Sequence, residues 1–195
     1  MNTDDARRLQ ARLGVRPDGL IGRGTLAALF AKCGAAKERA EELALGANVH
    51  MPAHAILDTP LRLAHFLAQV GHESGGFHYM EEIASGSAYE GRADLGNSFA
   101  GDGKRYKGRG PLQVTGRANY RRIGCCIGID IERHPELAAI PSVGIWTACV
   151  YWSDRKINAL SDRDDLLAVT KAVNGGTNGL DDRKARLTKM KALLL

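Results

Sequence analysis

Between Gly75 and Gly110 the chain carries Gly75, Gly76, Gly86, Gly91, Gly96, Gly101, Gly103, Gly108 and Gly110. Each glycine inside a helix costs about 1 kcal/mol relative to alanine, so this stretch reads as loop with at most a short strand. Helical periodicity stands on both sides of it. The clearest case follows Pro60, where Leu63, Phe66, Leu67 and Val70 form one stripe and Thr59 is placed to cap the first turn. Such a chain is expected to be mainly α, a two-lobed helical domain around a glycine-rich loop centre with room for a small β-hairpin.

Leu9, Leu13, Leu26, Leu29 and Phe30 lie at helical intervals around the turn-forming Arg16-Pro17-Asp18-Gly19, which predicts a helical hairpin over residues 1–34. Residues 35–195 form the main domain. Ala35 to Ala47 mixes alanine, charge pairs and leucine and reads as a solvent-facing helix. Helical periodicity returns at Val143–Trp152 and Asp164–Val173, and a basic amphipathic segment, Arg183–Leu194, closes the chain.

A length of 195 residues fits one domain with a short appendage. Hydrophobic residues at 44% and charged residues at 25% exclude disorder as the main state, while 6% aromatics is low for an all-β sandwich or a platform of stacking rings. No run reaches the roughly 20 apolar residues of a membrane span. The opening Met-Asn-Thr-Asp-Asp has neither the basic nor the apolar region of a secretory signal, so synthesis in the cytoplasm without a signal peptide is expected. A net charge of +5 favours anionic polymers, among them nucleic acid and peptidoglycan carboxylates. Nucleic acid ranks last because the basic residues are scattered and form no reading element. Cys33, Cys125, Cys126 and Cys149 lack zinc-ligand spacing and are expected to be mostly buried thiols.

The chemistry is expected where the core helix ends, in His72-Glu73-Ser74-Gly75-Gly76. A carboxyl group in a last helical turn meets the negative end of the macrodipole, and burial against Phe66 or Phe77 would further favour the protonated form that a general acid needs. Glu82 stands nine residues later, and on one unbroken helix it would point the opposite way. A turn at the glycine pair lets it swing back across a cleft. Two carboxyl groups about 6.5–9.5 Å apart leave room for a water and specify inversion at a sugar carbon. The run Tyr106-Lys107-Gly108-Arg109-Gly110-Pro111-Leu112-Gln113-Val114-Thr115-Gly116-Arg117-Ala118-Asn119-Tyr120 combines glycines, amides, aromatics and a hydroxyl suited to a polar groove.

Three strings in order, FLAQVGHESGGFHYMEE, YKGRGPLQVTGRANY and VNGG, resemble the motifs of family 19 glycoside hydrolases, the chitinase-related group, and within it phage and prophage endolysins. The likeness covers about residues 60–190 and implies a lysozyme-like fold. It implies that Glu73 is the general acid and Glu82 the general base, with Thr115 in the place of a serine that helps hold the attacking water. Gln113, Asn119, Tyr120, Asn174 and Tyr106 match groove-lining positions, and Arg183 and Arg186 compete for the place of a late arginine near the cleft. A second resemblance, LQARLGVRPDGLIGRGTLAALF to the repeat of peptidoglycan-binding modules, suggests a truncated copy whose leucines pack on the main domain.

The reading is therefore an endolysin-type glycosidase that cuts β-1,4 bonds of peptidoglycan, and of chitin as a second candidate, as a monomer. It needs neither metal nor cofactor, inserts in no membrane, and reaches the wall after lysis or pore formation. Two alternatives stay open: cleavage of the lytic-transglycosylase kind through one glutamate, and a wall-binding protein with a dead groove. His72, Lys107 and Arg109 are expected to support structure, as are Trp146 and Trp152, whose spacing of six does not make a shared face.

Overall fold

A computed structural model describes residues 1–195. Ten helices run in the order α1 (Thr3–Leu13), α2 (Arg23–Lys32), α3 (Lys37–Ala53), α4 (Pro60–Glu73), α5 (Asp102–Arg105), α6 (Arg117–Ile127), α7 (Pro141–Asp154), α8 (Ile157–Asp162), α9 (Leu166–Asn174) and α10 (Leu180–Leu194). Short 3-10 turns lie at Ser87–Tyr89, Ala93–Leu95 and Pro135–Ala139. The centre contains no regular hairpin. Its extended pairing is limited to isolated bridges from Arg109 to Glu81 and to Val114. No helix is long and apolar enough to cross a membrane.

Helix α4 forms where its sequence predicts. Thr59 accepts a hydrogen bond from the Arg62 amide, Pro60 occupies the first turn, and Leu63, Phe66, Leu67 and Val70 are buried. Each such side chain contributes about 1.5–3 kcal/mol on leaving water. Phe66 meets Trp152 of α7 edge-on at 5.2 Å, while α10 packs along another side. This large core also takes in Leu9, Leu26, Leu29 and Phe30 of the N-terminal hairpin. The hairpin's loop is locked by Gln10, buried, whose side-chain amide donates to Asp18, Leu20 and Thr25 while its carbonyl accepts from Gly19. That network gives the Leu-Gln, Asp-Gly and Thr of the repeat-like string a structural reason.

Helix α3 is not the solvent-facing element that its composition suggests. Ala40, Leu43, Ala44, Ala47 and Met51 are buried between α2 and α7. A Cβ on Gly46 would lie 2.2 Å from the Ser142 carbonyl oxygen, so the α3 and α7 backbones touch there. Small residues permit this approach while leaving a weak apolar signal in the sequence.

A second, smaller core joins Tyr106, Val114, Tyr120, Ile123, Ile127, Ile131, Ala138 and Val150. Helix α7 serves both lobes, turning Ile145, Ala148, Cys149 and Trp152 to the large core and Val150 to the small one. The cysteines divide. Cys149 is fully buried and burial pushes its thiol up, Cys33 is pushed up to about 12 by the same cause, and Cys125 and Cys126 are exposed. The expectation of mostly buried thiols fails for that adjacent pair because α6 turns Tyr120, Ile123, Gly124 and Ile127 inward and the two cysteines outward.

Candidate active site

Glu73 is the last residue of α4, and the chain then reverses through Gly75 and Gly76, both left-handed with φ of 58° and 72°. Ser74 locks this turn: its hydroxyl donates to the Val70 carbonyl at 2.6 Å and accepts from the Phe77 amide at 2.9 Å. Phe66 and Phe77 belong to the core, stacked edge-on against Trp152 and Phe30. The direct partner of the Glu73 carboxyl is a guanidinium, not a phenyl ring. Arg183, buried, donates to Glu73 Oε1, to the Gln69 side-chain carbonyl and, through Nε at 3.1 Å, to the Asn178 backbone. Gln69 is itself buried and donates to Thr170 of α9. One oxygen of Glu73 is thus fixed from behind by three helices, while Oε2 has no protein partner.

Glu82 is held from the other lobe. Its amide donates to the Gly108 carbonyl at 2.9 Å, and the Glu82 carbonyl accepts from the Lys107 ammonium at 2.9 Å. Its carboxylate accepts from the Tyr89 hydroxyl at 3.0 Å on Oε1 and from the Gly108 amide at 3.1 Å on Oε2. The Tyr89 phenol is raised by burial and, next, by this bond to Glu82. Gly108 permits the arrangement because a Cβ there would meet the Gln113 side-chain oxygen at 2.7 Å and Glu82 Oε2 at 3.3 Å. The neighbouring acids are engaged elsewhere. Glu81 pairs with Arg109 at 2.9 Å and Lys107 at 3.4 Å, and Glu90 accepts from the amide of Gly103 at 2.8 Å.

Between the lobes opens a cleft of about 610 Å³, lined by Glu73 and Tyr89 together with Gln113, Thr115, Asn119 and Asn174. Gln113 has a left-handed backbone (φ 50°), a strained setting for a non-glycine residue, and its amide group donates to the Gly110 carbonyl at 2.9 Å. Thr115 donates to the Gln113 carbonyl at 2.9 Å, and Asn119 donates to the Thr115 carbonyl at 2.8 Å. Asn174 ends α9, accepting from Gly176 and donating to the Asn178 carbonyl. These contacts chain the polar wall together and preset its side chains.

Three of the residues proposed for the groove stand elsewhere. Tyr106 is 1% exposed and Tyr120 0%; both fill the small core, their rings 5.4 Å apart. The Tyr106 hydroxyl donates to the Glu132 carbonyl, and that of Tyr120 donates to the Lys107 carbonyl and accepts from Arg109; burial pushes the Tyr120 phenol up to about 12. The two rings pack with Val114, Ile123, Ile127 and Ile131 to complete that core. Arg186 pairs with Asp182 at 2.7 Å and lines a separate cavity of about 170 Å³ with Cys33 and Leu67. Of the two late arginines, Arg183 is the one that touches Glu73. His72 pairs with Asp182, Arg109 ties Glu81 to Tyr120, and Trp152 lies in the core. Trp146 stacks flat on His50 at 3.9 Å.

The family model described as class I chitinase, glycoside hydrolase family 19, matches residues 22–172. The chain belongs to glycoside hydrolase family 19. It is a glycoside hydrolase. A family 19 domain-containing protein of Haemophilus influenzae is 32% identical, across 63% of this chain and 75% of its own length. An endochitinase of Arabidopsis thaliana is 36% identical, across 58% of this chain and 39% of its own. The chain spans about two-fifths of the length of such plant relatives. Chitinase C from Streptomyces griseus shares the fold with a TM-score of 0.71 at 22% identity, covering 90% of this chain and 95% of that one. A class IV chitinase from Zea mays does so with a TM-score of 0.67 at 23% identity, covering 89% and 92%.

The motifs missed several cleft residues of this family 19 enzyme. Tyr89 sits in a Ser/Gly loop without periodicity, so nothing in the sequence marks it. Tyr151, Arg155 and Lys171 line the cleft from α7, its end and α9. Their helices were legible, but which helical face meets the cleft is set by packing.

Proposed function

We propose that this enzyme hydrolyses β-1,4 bonds between N-acetylated amino sugars in bacterial peptidoglycan by single displacement with inversion, in the manner of an endolysin. The observation that carries the reading is that two carboxyl groups are held by different lobes, Glu73 in the cleft lining and Glu82 hydrogen-bonded to the cleft residue Tyr89. Glu73 lines the cleft with one oxygen bound by Arg183 and the other unpartnered. Glu82 has both oxygens oriented by Tyr89 and Gly108, and Tyr89 is itself a cleft residue.

In the acid role the proton of Glu73 sits on Oε2 and passes to the glycosidic oxygen as the bond to the anomeric carbon breaks. Glu82, as base, takes a proton from a water that attacks the opposite face of the same carbon. The hydroxyl of Thr115 and the side-chain oxygen of Gln113 supply polar contacts for that water or for the sugar's acetamido group. The cycle closes when Glu82 returns its proton to solvent and Glu73 regains one. The preference for peptidoglycan over chitin rests on the net charge of +5, which suits an acidic wall polymer, and on the repeat-like hairpin.

Digestion of purified glycan strands by the parent and by Glu73→Gln tests the proposal. The parent is expected to release fragments one water heavier than anhydro products, with new reducing ends, and the variant to release none. Anhydro ends would assign the lytic-transglycosylase route instead. Equal release by the variant would remove Glu73 from the acid role.

A further inference from the structure

The cleft wall carries two cations that no acidic group of the protein answers. Arg155, at the C-terminal end of α7, and Lys171, in the last turn of α9, both line the cleft, both are exposed, and neither takes part in an ion pair or side-chain hydrogen bond. Most other arginines around the site are engaged: Arg183 with Glu73, Arg109 with Glu81, Arg117 with Asp102, Arg122 with Asp154. The one acid of the lining, Glu73, is already paired. The Arg155 guanidinium is also preset. It lies over the Tyr151 ring at 3.6 Å, and that ring is fixed because its hydroxyl donates to the Val173 carbonyl at 2.6 Å. A stacked, unpaired guanidinium presents its donor edge to a planar anion.

We infer that Arg155 and Lys171 form a carboxylate-reading subsite that selects acidic amino-sugar strands over neutral ones. This deepens the proposed function and rests on it for the identity of the polymer. A chain of N-acetylglucosamine alone offers these cations no charge. A peptidoglycan strand offers carboxylates from two sources, the lactyl group of muramic units without a peptide and, where a peptide is joined to that group as an amide, the carboxyl groups of the peptide.

Binding is read by calorimetry in the Glu73→Gln protein, so that affinity is measured apart from turnover. Three ligands are compared: strands stripped of stem peptides, which expose the lactyl carboxylate; strands with peptides intact; and neutral N-acetylglucosamine oligomers. Each acidic ligand is also used after its carboxyl groups have been amidated. The ratio of acidic to neutral affinity is expected to fall about tenfold when both Arg155→Gln and Lys171→Gln are added, the size expected for two exposed charge pairs. Amidation is expected to produce the same fall in the protein that keeps both cations and none in the doubly substituted one. The ratio should shrink as salt rises, and Arg155→Lys should retain part of it.

A fall confined to stripped strands assigns the lactyl group, and one confined to intact strands assigns the peptides. Either supports the subsite. A ratio unchanged by the double substitution overturns it, even if the parent enzyme cleaves every strand. Absence of turnover in the parent, with the ratio still responding, would remove the catalytic reading and leave the carboxylate subsite standing.

Discussion

The lobe around α4 and the lobe around the 80–116 loops hold their carboxyl groups by different means. In the first, Glu73 ends a capped helix whose apolar stripe is buried, and a buried arginine secures it from behind. In the second, Glu82 sits on non-helical chain, positioned by a glycine amide, a tyrosine hydroxyl and backbone pairing to the 108–110 segment. The first arrangement draws its precision from packing, and its failure would be felt as lost stability. The second draws it from hydrogen bonds and close backbone approach, and its failure would be felt as lost activity. A site between two lobes thus sets a helix-end carboxyl group against a loop-tethered one.

Substitutions can break this contrast. Glu82→Ala is expected to lower kcat by about 10²–10⁴-fold, the usual share of a general acid or base, with oligosaccharide affinity and melting temperature retained; unchanged turnover would assign the base elsewhere. Gly46→Ala and Gly108→Ala form a matched pair. The first drives a methyl group against the Ser142 carbonyl between α3 and α7, and should cost about 3 kcal/mol or more in denaturant unfolding. The second presses on Gln113 and Glu82 Oε2, and should cut kcat by about tenfold or more with a much smaller loss of stability. Similar stability losses in both would dissolve the distinction. Tyr89→Phe removes one of the two donors to Glu82 and should reduce kcat by about tenfold, with KM and melting temperature little changed.

The smallest effect concerns pH. His65, buried on α4, pairs through Nε2 with Asp164 at 2.8 Å, while its Nδ1 has no partner. Burial holds the imidazole below the ordinary histidine range, although Asp164 and Asp165 act the other way; Lys191 adds to the lowering. With the folded value depressed, the unfolded chain takes up its proton first as pH falls through about 6.5, so stability is lost below that point. His50 and His54, also lowered by burial, carry the same sign. Melting temperatures should decline from neutral to mildly acid pH, and His65→Leu should flatten part of that decline. An unaltered slope would remove His65 from the large lobe's pH response.

How much of this was legible in the sequence follows the same division. Thr59, Pro60, the apolar stripe and the glycine pair together mark where α4 begins, which face it buries and where it stops. Local rules decide all of these. Helix α3 was misread because its contact with α7 is made by glycine and alanine, which let backbones meet without a strong hydrophobic pattern. Tyr106 and Tyr120 match groove positions of the resembled family and stand among glycines, which suggests ligand contacts, whereas the small lobe buries both in its core. Tyr89 and Arg155 were missed because their positions depend on how loops and helices from distant parts of the chain converge. The motifs identify the acid and base candidates, while their tethers come from tertiary packing.

The proposed mechanism requires Glu73 and Glu82 to act on opposite faces of one sugar carbon. Proton NMR of the first sugar released from a β-1,4-linked amino-sugar oligomer, recorded before mutarotation, tests this most directly. The account predicts the α-anomer from the parent and no product from Glu73→Gln. A β-anomer, or an anhydro sugar, would contradict it.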